Sequence, residues 1–249
     1  MVKDMKFVYG ELVKLGWGGI WRAFIKDLFL NRTLKGYLYL IALSSVPIIL
    51  ELTSNNPTVD WLGLIASWTG IVCVILVAEG RTSNYLFGTI NALIYLYMSW
   101  NATFYGELLT TLYFVVMQPI GLYMWVKNNL MGVEDKKDTE LHVKKLDLVG
   151  WLKYLGLTAI IWLFMGFAYK SINSARPFRD SVTDGTNYVG QLLMSGVYRE
   201  QWVFWIATNV FSIYLWWGSN IHIQGMYWVF LVNSIVGWYN WSKSVKKSA

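Results

Sequence analysis

Trp202, Trp205 and Asn209 stand at i, i+3 and i+7 within EQWVFWIATNVFSIYLWW (Glu200–Trp217), so a helix places all three on one face. The stretch is apolar enough to cross a bilayer. An amide at that depth finds no water and needs a partner in the protein or a ligand. Two indoles beside an amide suit a flat, polar, aromatic-headed solute. Similar groups recur in other apolar stretches: Asn91, Gln118, Asn233, the set Asn187, Tyr188 and Gln191 in TNYVGQLLM, and Trp68 next to Thr69. Polar groups inside a membrane point inward and mark a pathway, or they lock helices together at about 0.6 kcal/mol per hydrogen bond. For Asn91 and Asn209, each with an aromatic residue one turn away, the expectation is a shared solute site near mid-membrane. Gln118 precedes Pro119, which removes a helix donor and frees a carbonyl one turn back, giving a kink or a ligand contact.

Other chemistries find no support. There is no phosphate-cradling glycine loop, no HExxH and no nucleophile elbow. Cys73 is the single cysteine and lies in an apolar run, and His142 and His222 have no metal-ligand spacing. The expectation is a protein that is not an enzyme, needs no cofactor or metal and binds no nucleic acid. Glu51 and Glu79 fall at helix ends, within reach of headgroups and without a basic residue at helical spacing, so proton coupling is poorly supported.

The positioning elements follow from composition. Of 249 residues, 55% are hydrophobic and only 14% charged, where a soluble domain carries about a quarter charged. Long apolar runs separated by short polar turns predict an all-α polytopic membrane protein. The runs fall near 37–52, 60–79, 83–100, 104–126, 149–170, 179–198, 201–218 and 223–241. The first is short for a crossing. Lysine and arginine gather before residue 36, at Arg81, through 127–148, at Arg199 and at 243–247, which puts both termini in the cytoplasm. Lys170, Arg176 and Arg179 break that pattern on the predicted outside. Trp61, Trp100, Trp151 and Trp241 fall near predicted boundaries, and most of them are assigned to the interfacial belt. Residues 1–35 lack a signal-peptide core and mix Phe7, Trp17, Trp21 and Phe24 with lysines, as an interfacial amphipathic helix does.

The chain also matches itself. A shift of 118 residues places Arg81 on Arg199, Asn91 on Asn209, and Asn84 and Phe87 on Trp202 and Trp205. A shift of 116 brings Gly121, Tyr123 and Trp125 onto Gly237, Tyr239 and Trp241. Two helical triplets of the same orientation, joined by a connector helix, give such a repeat. The expected division is an amphipathic segment (1–35), an extra N-terminal helix (36–59), a first bundle (60–126), a cytoplasmic loop (127–148), a linker helix (149–171), a second bundle (172–241) and a tail (242–249). This is a 3+1+3 arrangement of two parallel three-helix bundles.

GQLLMSGVYREQWVFWIATNVFSIYLWW and MQPIGLYMW resemble the PnuC family of bacterial vitamin transporters, full-length relatives of the SWEET sugar transporters. The resemblance covers about 60–241 and rests on W-x-x-W-x-x-x-N (Trp202, Trp205, Asn209) together with Q-x-x-G-x-x-x-W (Gln118, Gly121, Trp125). It implies import of nicotinamide riboside across the bacterial inner membrane by facilitated diffusion, with a cytoplasmic kinase trapping the product. It also implies a trimer. Relatives that carry thiamin or riboflavin, or a sugar on the same fold, are the alternative substrates.

Overall fold

The computed structural model describes residues 2–30, 32–53, 58–101, 105–133, 141–173, 176–215, 217 and 221–248. In chain order the helices are α1 (Val2–Phe29), α2 (Leu34–Ser44), α3 (Val46–Thr53), α4 (Trp61–Ala78), α5 (Asn84–Asn101), α6 (Tyr105–Val133), α7 (Leu148–Ser171), α8 (Pro177–Ser195), α9 (Gln201–Leu215) and α10 (Ile221–Ser248). Lys136, Lys137, Trp216 and the His222 side chain lie outside the described set.

Local chemistry sets the boundaries. Thr33, Asp60 and Asp147 cap α2, α4 and α7, each accepting from the backbone N–H three residues on, at Gly36, Gly63 and Gly150. Pro177 opens α8, where its missing N–H costs nothing. Pro47 cannot donate to the preceding turn, so the 34–53 stretch breaks at Ser45 into α2 and α3. Gly16 interrupts α1 with φ 62.

Among the described residues, four stretches are long and apolar enough to cross a membrane by length and composition: 34–53, 61–78, 107–130 and 148–171. The sequence reading expects eight. The remaining helices of the bundle carry more amides, hydroxyls and, in α8, Asp180 and Asp184, which lowers their hydropathy.

Packing closes a ring. α4 lies against α5, α5 against α6, α6 against α8, α8 against α9, α9 against α10, and α10 returns to α4. α7 lies on the outside against α8, and α2 and α3 flank α4. In this ring α6 stands opposite α10, and α5 opposite α9.

The turns entering α5 and α9 are built alike. Backbone N–H groups of Glu79, Gly80, Arg81, Asn84, Tyr85 and Leu86 donate to carbonyls of Ile75, Val77, Leu76, Arg81, Thr82 and Ser83. Gly196, Val197, Tyr198, Gln201, Trp202 and Val203 repeat this with Leu192, Met194, Leu193, Tyr198, Arg199 and Glu200. Every pair is 117 residues apart, and Gly80 (φ 71) and Val197 (φ 62) share the left-handed conformation at one turn position. The expected shift of 118 for this helix is therefore off by one residue, about 100° around a helix. In the observed register Tyr85 pairs with Trp202, Asn91 with Thr208, and Ala92 with Asn209. Matching arginine to arginine and asparagine to asparagine selected a coincidence; the glycine conformation carries the true register.

Both turns are tied down. Glu79 has no basic residue at helical spacing, yet it pairs with Arg32 at 2.6 Å, 47 residues away, and with Arg81 at 2.6 Å. Arg81 also donates to the carbonyls of Asp27 and Leu30, and Asp27 accepts from Ser83 N–H at 2.7 Å. At the second turn, fully buried Glu200 accepts from Leu146 N–H at 3.0 Å and pairs with Arg199 at 2.7 Å. Lys144 exchanges backbone hydrogen bonds with Val197 and Arg199, both 2.9 Å.

Candidate functional site

The middle of the ring is filled on one level by four aromatic side chains. Tyr85 (α5) meets Trp125 (α6) edge-on at 5.5 Å, Trp125 meets Trp241 (α10) at 5.8 Å, and Trp241 meets Trp202 (α9) edge-on at 5.9 Å. None is more than 2% exposed. Trp125 and Trp241 touch although their helices stand on opposite sides of the ring, so their rings span its interior. Two of the three indole N–H groups also cross to a neighbouring helix: Trp125 donates to Met194 O at 2.8 Å, and Trp241 to Val77 O at 3.1 Å, while Trp202 Nε1 is buried without a partner. Tyr85 lies over Gly121 and Trp202 over Gly237, where a Cβ would come within 2.4–2.6 Å of the ring. Trp241 is thus a core residue, contrary to its assignment to the interfacial belt. Trp61 and Trp100 are 67% and 68% exposed, while Trp151 stacks on Phe204 at 6.2 Å.

The expected site residues separate into groups. Trp202 belongs to the aromatic level just described. Its partner on α9, Trp205, is half-buried, donates to Gln201 Oε1 at 3.3 Å and lies against Gly190. Gln118 is buried, and its Oε1 stands over Gly88 beside Cys73 without a hydrogen-bond partner. Buried Gln191 likewise leaves its Nε2 unpartnered. Roughly 10 Å along α6 separates Gln118 from Trp125 at 1.5 Å per residue.

Asn91 and Asn209 are not bonded to each other. Asn91 donates to Ala66 O at 2.7 Å, within the α4–α5 contact, and Asn209 donates to Ser234 Oγ at 3.1 Å, within the α9–α10 contact. Asn233 is fully buried between helices, donating to Val74 O at 2.8 Å and accepting from Tyr39 at 3.2 Å. Trp68 is 36% exposed at the edge of the bundle, against Phe87 at 6.0 Å. Asn187 and Tyr188 are half-buried, and the Tyr188 ring stacks on Tyr113 at 4.3 Å.

The sequence reading missed several groups. Buried Asp184 on α8 accepts from Thr110 (α6) at 2.9 Å and from Tyr169 (α7) at 2.7 Å, joining three helices. Tyr113 adds a hydrogen bond to Tyr188 O at 2.9 Å across the same seam. Gln201 is fully buried, with its Nε2 unpartnered. Their spacing carries no signal, because each partner comes from a distant helix. An apolar groove of about 440 Å³ lined by Leu93, Leu96, Tyr97, Trp100, Leu108 and Leu112 lies on α5 and α6, away from these amides.

A ring of helices in a multi-pass membrane protein, with buried amides and indoles turned away from lipid, belongs to the class of membrane transporters. The comparisons with known proteins identify which one. The chain belongs to the PnuC family: the family model described as Nicotinamide mononucleotide transporter matches residues 60–243. A protein of Haemophilus influenzae named Nicotinamide riboside transporter PnuC is 37% identical over 203 residues, covering 81% of this chain and 88% of that one. A protein of the same name from Neisseria mucosa is 34% identical over 252 residues, covering 96% and 90%. A solved structure, described as the crystal structure of the vitamin B3 transporter PnuC, matches with TM-score 0.76 and 31% identity over 92% of this chain and 98% of that one.

Proposed function

We propose that this chain imports nicotinamide riboside by facilitated diffusion. The observation that carries the reading is a pair of buried amides with complementary free groups, the Gln118 Oε1 acceptor and the Gln191 Nε2 donor. A buried polar atom left unpaired costs about 1–3 kcal/mol, a cost that a solute carboxamide, one donor group and one acceptor, removes. Trp205 offers a π face to the pyridinium ring, worth about 0.5–2 kcal/mol for a cation. Asn209, Asn91, Asn187 and Tyr188 surround the ribose end, and Asn233 and Trp68 support the helices from behind.

Charge favours the riboside over the mononucleotide in the family's description. No lysine or arginine occurs within 61–78, 84–101, 105–126, 180–195, 201–215 or 221–242, so a phosphate dianion would be desolvated without a counter-ion. Asp184 contributes the opposite sign, and the names of the relatives agree.

The arrangement that supports transport is two parallel triplets, α4–α6 and α8–α10, with α7 as linker and α2–α3 outside the core, as in SWEET-like carriers. The face bearing Glu79, Arg81, Arg199 and Glu200 is cytoplasmic, as are both termini, and α1 lies along the surface of the inner membrane. Phosphorylation of the entering riboside drives net uptake. The trimeric form rests on the family resemblance alone.

The test is uptake of labelled nicotinamide riboside into proteoliposomes. Uptake is expected to equilibrate without an ion gradient, to accumulate when a riboside kinase and ATP are enclosed, and to resist competition by the mononucleotide. Gln118→Leu and Gln191→Leu should each weaken riboside binding at least tenfold with thermal stability retained, because each removes an atom with no hydrogen-bond partner within the protein. Unchanged binding in both variants would overturn the assignment. A stronger response to thiamin, riboflavin or a sugar would move the substrate within the same class.

A further inference from the structure

We infer that Tyr85, Trp125, Trp241 and Trp202 form the inner gate of the pathway, and that the two indole hydrogen bonds across the helix seams are its latches. The inference rests on the transporter reading above. It starts from where the four rings stand. They come from α5, α6, α10 and α9, two opposed pairs in the ring of helices, and run as one chain of contacts at 5.5, 5.8 and 5.9 Å.

The pattern reads the same from either end. Tyr85 corresponds to Trp202 at an offset of 117, and Trp125 to Trp241 at 116. The outer contacts are edge-on at 87° and 85°, and the central one is tilted at 52°. The latches correspond too. Trp125 on α6 holds Met194 O on α8, and Trp241 on α10 holds Val77 O on α4; Val77 and Met194 are 117 residues apart. The two bonds cross the two seams, α6–α8 and α10–α4, at which one triplet meets the other in the ring of described helices.

Position agrees with a gate. Val77 and Met194 lie within the last turn of α4 and α8, next to the turns clamped by Glu79 and Glu200. The unpartnered Gln118 Oε1 and Gln191 Nε2 belong to residues farther from that face, seven and three residues along their helices from Trp125 and Met194. A solute held at those amides must pass the four rings to leave on the Glu79 side. Parting the triplets there breaks the central ring contact and both latches together, so opening is one concerted step.

Cys73, the chain's single cysteine, packs against this aromatic cluster and serves as reporter. The experiment compares its labelling by a charged methanethiosulfonate applied to right-side-out or to inside-out vesicles. Trp125→Phe and Trp241→Phe keep an aromatic ring and remove one latch each. Labelling from the Glu79 face should rise about threefold per latch, the factor corresponding to one interhelical hydrogen bond in a membrane, and approach tenfold in the double variant. Trp151→Phe, remote from the rings, should leave it unchanged. If labelling from that face stays at the wild-type rate, or rises equally from both faces, the gate is refuted. Should the double variant not fold, the single variants decide. Labelling needs no substrate, so it can fail while riboside uptake stands, and the reverse.

Discussion

Replacing Gly237 with alanine perturbs the aromatic level through volume alone. An added Cβ would lie 2.4–2.5 Å from three atoms of the Trp202 ring, whereas carbons rest comfortably at about 3.5–4.0 Å. Trp202 is 2% exposed and backed by Trp241 at 5.9 Å. The indole cannot swing aside without displacing a second ring, so α10 and α9 must separate by roughly 1 Å to restore a normal contact. Overpacking of this kind costs about 1–3 kcal/mol, offset by about 0.5–1 kcal/mol because alanine is the better helix residue. The net loss is about 1–2 kcal/mol, which lowers Tm by roughly 2–8 °C in a chain of this size. Gly121→Ala should shift in the same direction, since its Cβ would sit 2.5 Å from the Tyr85 hydroxyl and 2.6–2.8 Å from two of its ring carbons. The control is Gly156→Ala on exposed α7 surface, where nothing lies within 4 Å and helix propensity alone should raise Tm. Thermal unfolding of detergent-solubilised protein followed by tryptophan fluorescence measures all three. If Gly237→Ala raises Tm as Gly156→Ala does, the close packing of Trp202 against α10 is wrong.

Two further substitutions probe buried polar groups by the same unfolding assay. Glu200→Ala removes the acceptor of Leu146 N–H and the ion partner of Arg199, and should cost about 3 kcal/mol; a loss below 1 kcal/mol would show that the second turn is held by other contacts. Asn233→Leu breaks the bonds to Val74 O and Tyr39 and should cost about 1–2 kcal/mol while riboside affinity holds. Lost affinity at unchanged stability would return Asn233 to the pocket.

Much of the helical plan is legible because apolar runs and capping residues are local signals. Asp60 and Asp147 sit where α4 and α7 begin, and Pro47 breaks the first apolar run. Position within the bundle is not local. Trp241 reads as a boundary residue because it nears the end of its apolar run, yet Trp125 and Trp202 reach it from distant helices. Glu79 reads as a headgroup contact because its partner, Arg32, is 47 residues away. Asn91 and Asn209 read as a pair because their identities match, whereas the backbone register is fixed by a left-handed turn at Gly80 whose counterpart is a valine. A β-branched residue in that conformation hides the repeat from any comparison of side chains.

If the two triplets proposed above are taken as halves, their counterparts at the offset of 117 diverge just outside the aromatic level, and the divergence has a physical use. In the first half, Gly88 leaves room for the Gln118 amide and the Cys73 thiol. At the offset of 117 the counterparts of Gly88 and Cys73 are Trp205 and Gly190, and there the indole of Trp205 lies against the glycine. The glycine has changed helices, so one half presents an amide where the other presents an aromatic face. Asn209 and Ser234 show the same exchange, bonded to each other in the second half where the first half has Ala92 and Gln118. On the gate inference above, matched rings suit the level that must close, since Trp125 and Trp241 meet there with equivalent edge-on neighbours on either side. A flat cationic ring with a carboxamide on one side and a ribose on the other has no such symmetry. A pocket made of two unlike walls can hold it in one orientation, which two copies of one wall cannot do.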